Sequence, residues 1–133
     1  VFLAPSSMSG AVRDYCRKAG EQVPETAGEL ARVVYRSLAA SYGAIFRQMQ
    51  ELTGREFRRL QIIGGGSKAD YLNRLTAEAA GIPVFAGPAE AAALGNAVVQ
   101  MTAMGVFSSL DEGRRCAAGS NGARVFEPDG RGV

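Results

Sequence analysis

The sequence has 133 residues, with 15 Lys and Arg against 13 Asp and Glu, no His, two Cys, and hydrophobic and charged shares of 47% and 21%. Such a chain suits one soluble domain, too apolar for disorder and too interrupted by charge for a membrane span; a net charge of +2, with arginines scattered from Arg13 to Arg131, lacks the basic patch of a nucleic-acid binder. The absence of His removes Ser/His/Asp triads, Cys/His dyads and histidine-held zinc or iron, so any chemistry must use carboxylates, lysines or groups from elsewhere.

Met8, Val12, Tyr15, Cys16 and Ala19 recur at three- and four-residue steps between Ser7 and Gly20, which predicts a short helix with Cys16 as a small core residue. Pro24 and the capping box Thr26-x-x-Glu29 open a second helix, in which Leu30, Val34, Leu38, Tyr42, Ile45, Phe46, Met49 and Leu52 keep a helical period down to Gly54. At 1.5 Å per residue that helix is about 40 Å long. Its aromatic and methionine stripe reads as core.

After the arginine-rich stretch from Arg55 to Arg59, Leu60 to Ile63 form an apolar run that stops at Gly64, Gly65 and Gly66, as a buried strand meeting a glycine turn does. Ser67 and Asp70 read as a second capping box, with Tyr71, Leu72, Leu75 and Ala79 on the face of a helix that Gly81 stops. Pro83 to Phe85 predict another brief strand. Gly87 and Pro88 then turn into a helix carrying Leu94, Val98, Met101 and Met104, with Gly105 at its end. Gly95 inside it costs about 1 kcal/mol relative to Ala, which predicts close backbone packing there. Ser109-x-x-Glu112 caps a short helix, and Arg124 to Phe126 read as an edge strand before a Pro128-Asp129-Gly130 turn.

A strand as apolar as Leu60 to Ile63, lying between helices, belongs in a sheet covered on both faces, yet only two or three short strands are present. The sheet is incomplete. The other strands come either from a missing part of the chain or from a partner subunit. Cys16 and Cys116 fall outside any CxxC pattern and fit a reducing cytoplasm better than a disulfide framework. Val1 opens the sequence and nothing near it resembles a signal core, so the expectation is of a chain that starts inside a longer one.

Glycine at 64, 65 and 66 removes every Cβ where a phosphate would approach the backbone, and the amides of Ser67 and Lys68 are expected to point outward at the positive end of the following helix. The alternative is a turn that only allows tight packing. A P-loop is disfavoured, because Ser67 precedes Lys68 and Ala69 follows it. Gly64-x-Gly66-x-x-Ala69 also fits the loose fingerprint of a Rossmann-type dinucleotide-binding oxidoreductase. That reading needs an acid about twenty residues on, where Phe85, Ala86 and Gly87 stand instead. Glu90 there is explained as a first-turn helix charge.

The run Ile62-Ile63-Gly64-Gly65-Gly66-Ser67, then Leu72-Asn73, Leu75-Thr76-Ala77, Gly81-Ile82-Pro83-Val84, Ala86-Gly87-Pro88-Ala89-Glu90-Ala91 and Leu94-Gly95-Asn96, resembles the C-terminal region of FGGY-family carbohydrate kinases, most of all the rhamnulokinases among them. The likeness extends upstream through Phe2-Leu3-Ala4-Pro5, Cys16-Arg17 and Glu29-Leu30-Ala31-Arg32, and fades after Gly105. It implies an α/β fold: part of an actin-like, ribonuclease-H-like ATPase domain, helix-rich with a short incomplete sheet. The whole chain, 1–133, would be one C-terminal nucleotide-binding portion of a sugar kinase.

The resemblance also implies ATP with its Mg2+ and a sugar acceptor such as a ketose, while charge and composition point to neither nucleic acid nor membrane as partner. It places Gly65 and Gly66 at the nucleotide's phosphates, Gly64 with them in the nucleotide-binding turn, Ser67 nearby, and Asp70 beside adenine or ribose. Lys68-Ala69 and Arg74 stand where rhamnulokinases commonly carry Gln-Asn and Gln. The catalytic aspartate and main sugar-binding residues lie in the part that precedes this region, so Asp14, Asp70, Asp111 and Asp129 are read as caps, turns or surface charges, and no metal-binding residue is nominated. A non-catalytic nucleotide-binding module using the same turn is the remaining alternative. The isolated chain is expected to be inactive and to self-associate through its uncovered sheet edge and helix faces.

Overall fold

The computed structural model describes residues 2–120 and 123–129, so the last residue of the turn expected at Pro128-Asp129-Gly130 lies outside them. The chain divides into two compact units, residues 1–38 and 39–133. The division falls within one long helix.

In the first unit, α1 (Met8–Ala19) starts at Ser7, whose Oγ accepts the Gly10 N–H at 3.2 Å, and ends at Gly20 with φ 71°. Cys16 is buried, as its position in the helical period predicted. Arg13 donates to the carbonyls of Pro24 and Glu25 and so ties α1 to the segment ahead of α2 (Ala27–Thr53). That second helix begins with the expected capping box. Thr26 Oγ1 accepts the Glu29 N–H at 3.2 Å, while Glu29 Oε2 accepts the N–H groups of Thr26 and Glu25 at 3.0 and 2.8 Å.

These donors, the Thr26 N–H first among them, favour the carboxylate and hold Glu29 below its ordinary value of 4.5. A carboxyl lowered in the folded state stabilises above its unfolded value, and the contribution is lost as pH falls through the folded value. Glu29→Ala is therefore expected to lower Tm clearly near neutral pH and much less at about pH 3. An equal loss at both pH values in thermal melts would contradict this.

The second unit holds the rest of α2, then β1 (Leu60–Ile62), a 3-10 turn (Gly64–Lys68), α3 (Asp70–Ala80), β2 (Val84–Ala86), α4 (Ala91–Ala103), α5 (Leu110–Ser120) and β3 (Arg124–Phe126). The strands form one sheet in the order β1-β2-β3. Leu60 pairs with Val84 in parallel, and Val84 with Phe126 antiparallel. Central β2 is the buried strand, with Val84 and Ala86 in the core. The Leu60 N–H donates to Pro83 O at 2.9 Å, and Ile62 O accepts the Gly87 N–H at 2.8 Å. By the alternation of a parallel ladder, the backbone groups of Gln61 face the other side, where no strand pairs among the described residues.

Several packing expectations are corrected. The run from Leu60 to Ile63 is expected to be buried, but Gln61 is exposed on the edge strand β1, and Ile63, just past its end, is exposed as well. In α2 the burial falls on Ala39, Gly43 and Phe46, leaving Tyr42, Ile45, Met49 and Leu52 exposed. Of that stripe only Phe46 is core here. The inner face of α3 is Asn73, Leu75, Thr76 and Ala77, and Tyr71 is exposed. On α4 only Val98 is buried, with Met101 exposed, as is Met104 just past its end.

Gly95 is also corrected, since a Cβ built there meets nothing within 4 Å. The close approach lies at Gly113 instead, in α5 just past the capping box in which Ser109 Oγ accepts the Glu112 N–H at 3.2 Å. A Cβ at Gly113 would lie 2.5 Å from Val98 Cγ1 and 2.9 Å from Phe107 Cδ2. Gly95→Ala is expected to raise stability by up to about 1 kcal/mol and Gly113→Ala to lower it by about 1–3 kcal/mol. Urea unfolding of the two variants tests this, and the opposite ranking would show the helix pair to be packed differently.

Candidate glycine-turn site

The parallel pair β1 and β2, joined through the turn and α3, brings Gly64 to Gly66 to the carboxyl end of β1. Ligands of open parallel sheets bind at such ends. The Gly64 N–H is taken by Pro88 O at 3.0 Å, which links the turn to the segment after β2. Gly64 has φ 74°, where a side chain is strained. A Cβ at Gly65 would meet nothing within 4 Å, and one at Gly66 only Ile62 Cγ2 at 3.7 Å. The backbone is open to an approaching group.

The turn differs from the expected one in how its amides are used. Its 3-10 pattern directs the N–H groups of Ser67 and Lys68 back to the carbonyls of Gly64 and Gly65, so they do not point outward. At the head of the turn, the Gly65 N–H has no intrahelical acceptor. Ser67 does not cap α3 either: its Oγ donates to Gly64 O at 2.7 Å, its side chain is buried, and Ala69 stands at the N-cap without a side-chain bond. The capping box expected at Ser67 and Asp70 is thus replaced by a closed turn. A hydroxyl three residues after a carbonyl in a 3-10 turn bonds back within it more readily than it reaches forward.

Two side chains that the sequence did not single out hold this arrangement. Asn73, 1% exposed, donates through Nδ2 to Ser67 O at 3.0 Å, while its Oδ1 is buried without a partner. Arg124, read only as part of an edge strand, donates through Nη2 to the same carbonyl at 2.6 Å and through Nη1 to Asp70 Oδ1. No local spacing signals a contact across more than fifty residues. Asn73 carried a weak signal, a polar residue next to Leu72 and two before Leu75. Beside the turn, an open and mainly apolar cavity of about 340 Å3 is lined by Tyr42, Met49, Ile62, Gly66, Leu72 and Asn73.

Three of the four aspartates left without a catalytic role have ordinary partners. Asp14 pairs with Arg17, Asp111 with Arg114 and Asp70 with Arg124, all on the surface. Among the described residues, no three Cys, Asp or Glu gather as a metal site, and no helix is long and apolar enough to cross a membrane. At the end of β2, Phe85, Ala86 and Gly87 present no acid.

Residues 1–104 match the profile of the C-terminal domain of the FGGY family of carbohydrate kinases. Relatives include rhamnulokinases of Bacteroides thetaiotaomicron and Bacillus subtilis, each 39% identical over 127 residues, which is 96% of this chain and 26% of theirs. The rhamnulokinase of Pectobacterium atrosepticum is 45% identical over 109 residues, 82% of this chain and 22% of its own. The chain spans about a quarter of the length of the curated relatives it matches. The match covers the glycine turn, α3, β2 and α4, and the helix-rich architecture with its short three-stranded sheet agrees with the actin-like ATPase class of fold that the resemblance implied. The chain belongs to the FGGY family of carbohydrate kinases, within its C-terminal domain.

Proposed function

We propose that this chain is the C-terminal, nucleotide-binding portion of an ATP-dependent sugar kinase whose intact form transfers the γ-phosphoryl group of Mg·ATP to a hydroxyl of a ketose such as rhamnulose, in rhamnose breakdown in the cytoplasm. The observation that carries this reading is the unobstructed glycine turn at the carboxyl end of β1, inside the stretch that matches the family. Gly64, Gly65 and Gly66 receive the phosphates, with the Gly65 N–H as a donor at the head of the turn. Ser67 supports the turn from within and Asp70 lies toward adenosine. Mg2+ arrives with the nucleotide and neutralises charge on its phosphates. The general base and the sugar site belong to the remainder of the kinase, so this chain alone binds nucleotide weakly and transfers nothing. Titration of the chain with a fluorescent ATP analogue and with NAD separates this from a dinucleotide-binding reading. Weak saturable binding of the ATP analogue alone is expected, and preferential binding of NAD would overturn the assignment.

The exposed apolar residues of α2 and α4, together with the unpaired edge of β1, support self-association of the isolated chain. Neither nucleic acid nor membrane is a partner in this reading. Sedimentation and light scattering are expected to show dimers or larger species. A strictly monomeric chain would contradict the self-association.

A further inference from the structure

Arg124 carries an inference about how the glycine turn is held, and it rests on the reading of that turn as the nucleotide site. Its guanidinium comes from β3, the last described strand, and spans two parts of the site at once. Nη2 donates to Ser67 O, the carbonyl that also accepts from buried Asn73, and Nη1 donates to Asp70 Oδ1 in the first turn of α3. The side chain also lies over the Phe126 ring, with 6.0 Å from Cζ to the ring centroid. Half of the Arg124 side chain and just over half of Asp70 are exposed, so the ion pair as such adds little to global stability. Its effect is positional. A planar fork that engages a carbonyl and a carboxylate together fixes the angle between the turn and the helix, which a single ammonium group does not do.

The same contact sets local charge. Without its cation, the Asp70 carboxylate would stand beside the turn as a bare negative group facing an incoming polyanion. Paired with Arg124, it is neutralised and held aside. We propose that Arg124 is a positioning residue of the nucleotide site, holding the closed glycine turn through Ser67 O and screening the Asp70 carboxylate from the nucleotide's phosphates.

The test uses steady-state kinetics of the full-length kinase that carries this chain, with Arg124→Gln, Arg124→Lys, Asp70→Asn and the double variant Asp70→Asn/Arg124→Gln. Arg124→Gln is expected to raise the KM for ATP about threefold to fivefold, leave the KM for sugar unchanged and barely move Tm. Arg124→Lys, which keeps the charge and loses the fork, should restore only part of the affinity. Removing the bare carboxylate should recover some of the loss, so the double variant should bind ATP better than Arg124→Gln alone. Amide hydrogen exchange in the 133-residue chain gives a readout apart from activity: the Ala69 and Asn73 N–H groups should exchange faster in Arg124→Gln, with the rest of α3 unchanged. An unchanged KM for ATP in Arg124→Gln, beside a raised one in Gly66→Val, would overturn the role of Arg124 and leave the glycine-turn reading standing. An unchanged KM in both would overturn both. A parallel rise in both KM values with a large fall in Tm would show Arg124 to be a structural strut and would also overturn the proposal.

Discussion

Replacing Gly43 with Leu is expected to unfold much of the second unit at temperatures the wild-type chain withstands. A Cβ at this position would lie 2.5 Å from Ala79 O and 2.9 Å from Ala79 C, and both are backbone atoms at the end of α3. Side-chain rotation cannot relieve such a contact, so the helices must separate. The Arg47 guanidinium, which donates to the same Ala79 carbonyl at 3.1 Å, would be displaced with them. Helix propensity works in the opposite direction, since Gly within a helix is worse than Ala by up to about 1 kcal/mol. Overpacking costs about 1–3 kcal/mol and more when backbone must move, so the steric effect wins. Gly43→Ala should lower Tm by roughly 5 °C and Gly43→Leu by roughly 10 °C or more, as read by thermal melts followed by circular dichroism. A Gly43→Ala variant as stable as the wild type would mean that α2 and α3 do not approach here.

The second large effect is on nucleotide use. In the intact kinase, Gly66→Val should raise the KM for ATP by about tenfold or more and leave the KM for sugar nearly unchanged. The structure makes this position a clean test. A Cβ at Gly66 meets only Ile62 Cγ2, at an ordinary 3.7 Å, so the fold accepts a methyl group, and Gly66→Ala with an unchanged Tm assigns the loss to the ligand. Gly64 offers no such test, because its φ of 74° makes every side chain strained before a ligand arrives. Gly65→Ala should share the effect, being open on all sides. Equal changes in both KM values, with Tm unchanged, would place the nucleotide elsewhere.

What the sequence makes legible follows the range of the interactions. The capping boxes at Thr26 and Ser109 and the glycine stops at Gly20 and Gly81 were readable because each is closed by donors and acceptors within four residues. The strand, turn, helix and strand order was readable from glycine punctuation. The box at Ser67 failed for a reason of the same kind. A still nearer acceptor, Gly64 O, took the hydroxyl, and the glycines closed into a 3-10 turn.

Burial was less legible, because periodicity reports which face of a helix is apolar and not what covers it. Tyr42, Ile45 and Met49 keep a helical stripe and yet stand exposed, while the α2 contact with α3 is made at Gly43, a residue with no hydrophobic signal at all. The likeness to the kinases placed Gly64, Gly65, Gly66, Ser67 and Asp70 together. Arg124 escaped notice because its meaning arises only when β3 pairs antiparallel with β2 and carries it to the turn.

The most direct measurement of the central claim is transfer of label from γ-labelled Mg·ATP to rhamnulose, made in parallel with the 133-residue chain and with the full-length polypeptide that contains it. The expected result is one labelled sugar phosphate per ADP formed by the full-length protein, sharply reduced at limiting ATP by Gly66→Val, and no transfer by the short chain. Transfer by the short chain alone, or a full-length protein that reduces NAD and never phosphorylates a sugar, would contradict the assignment.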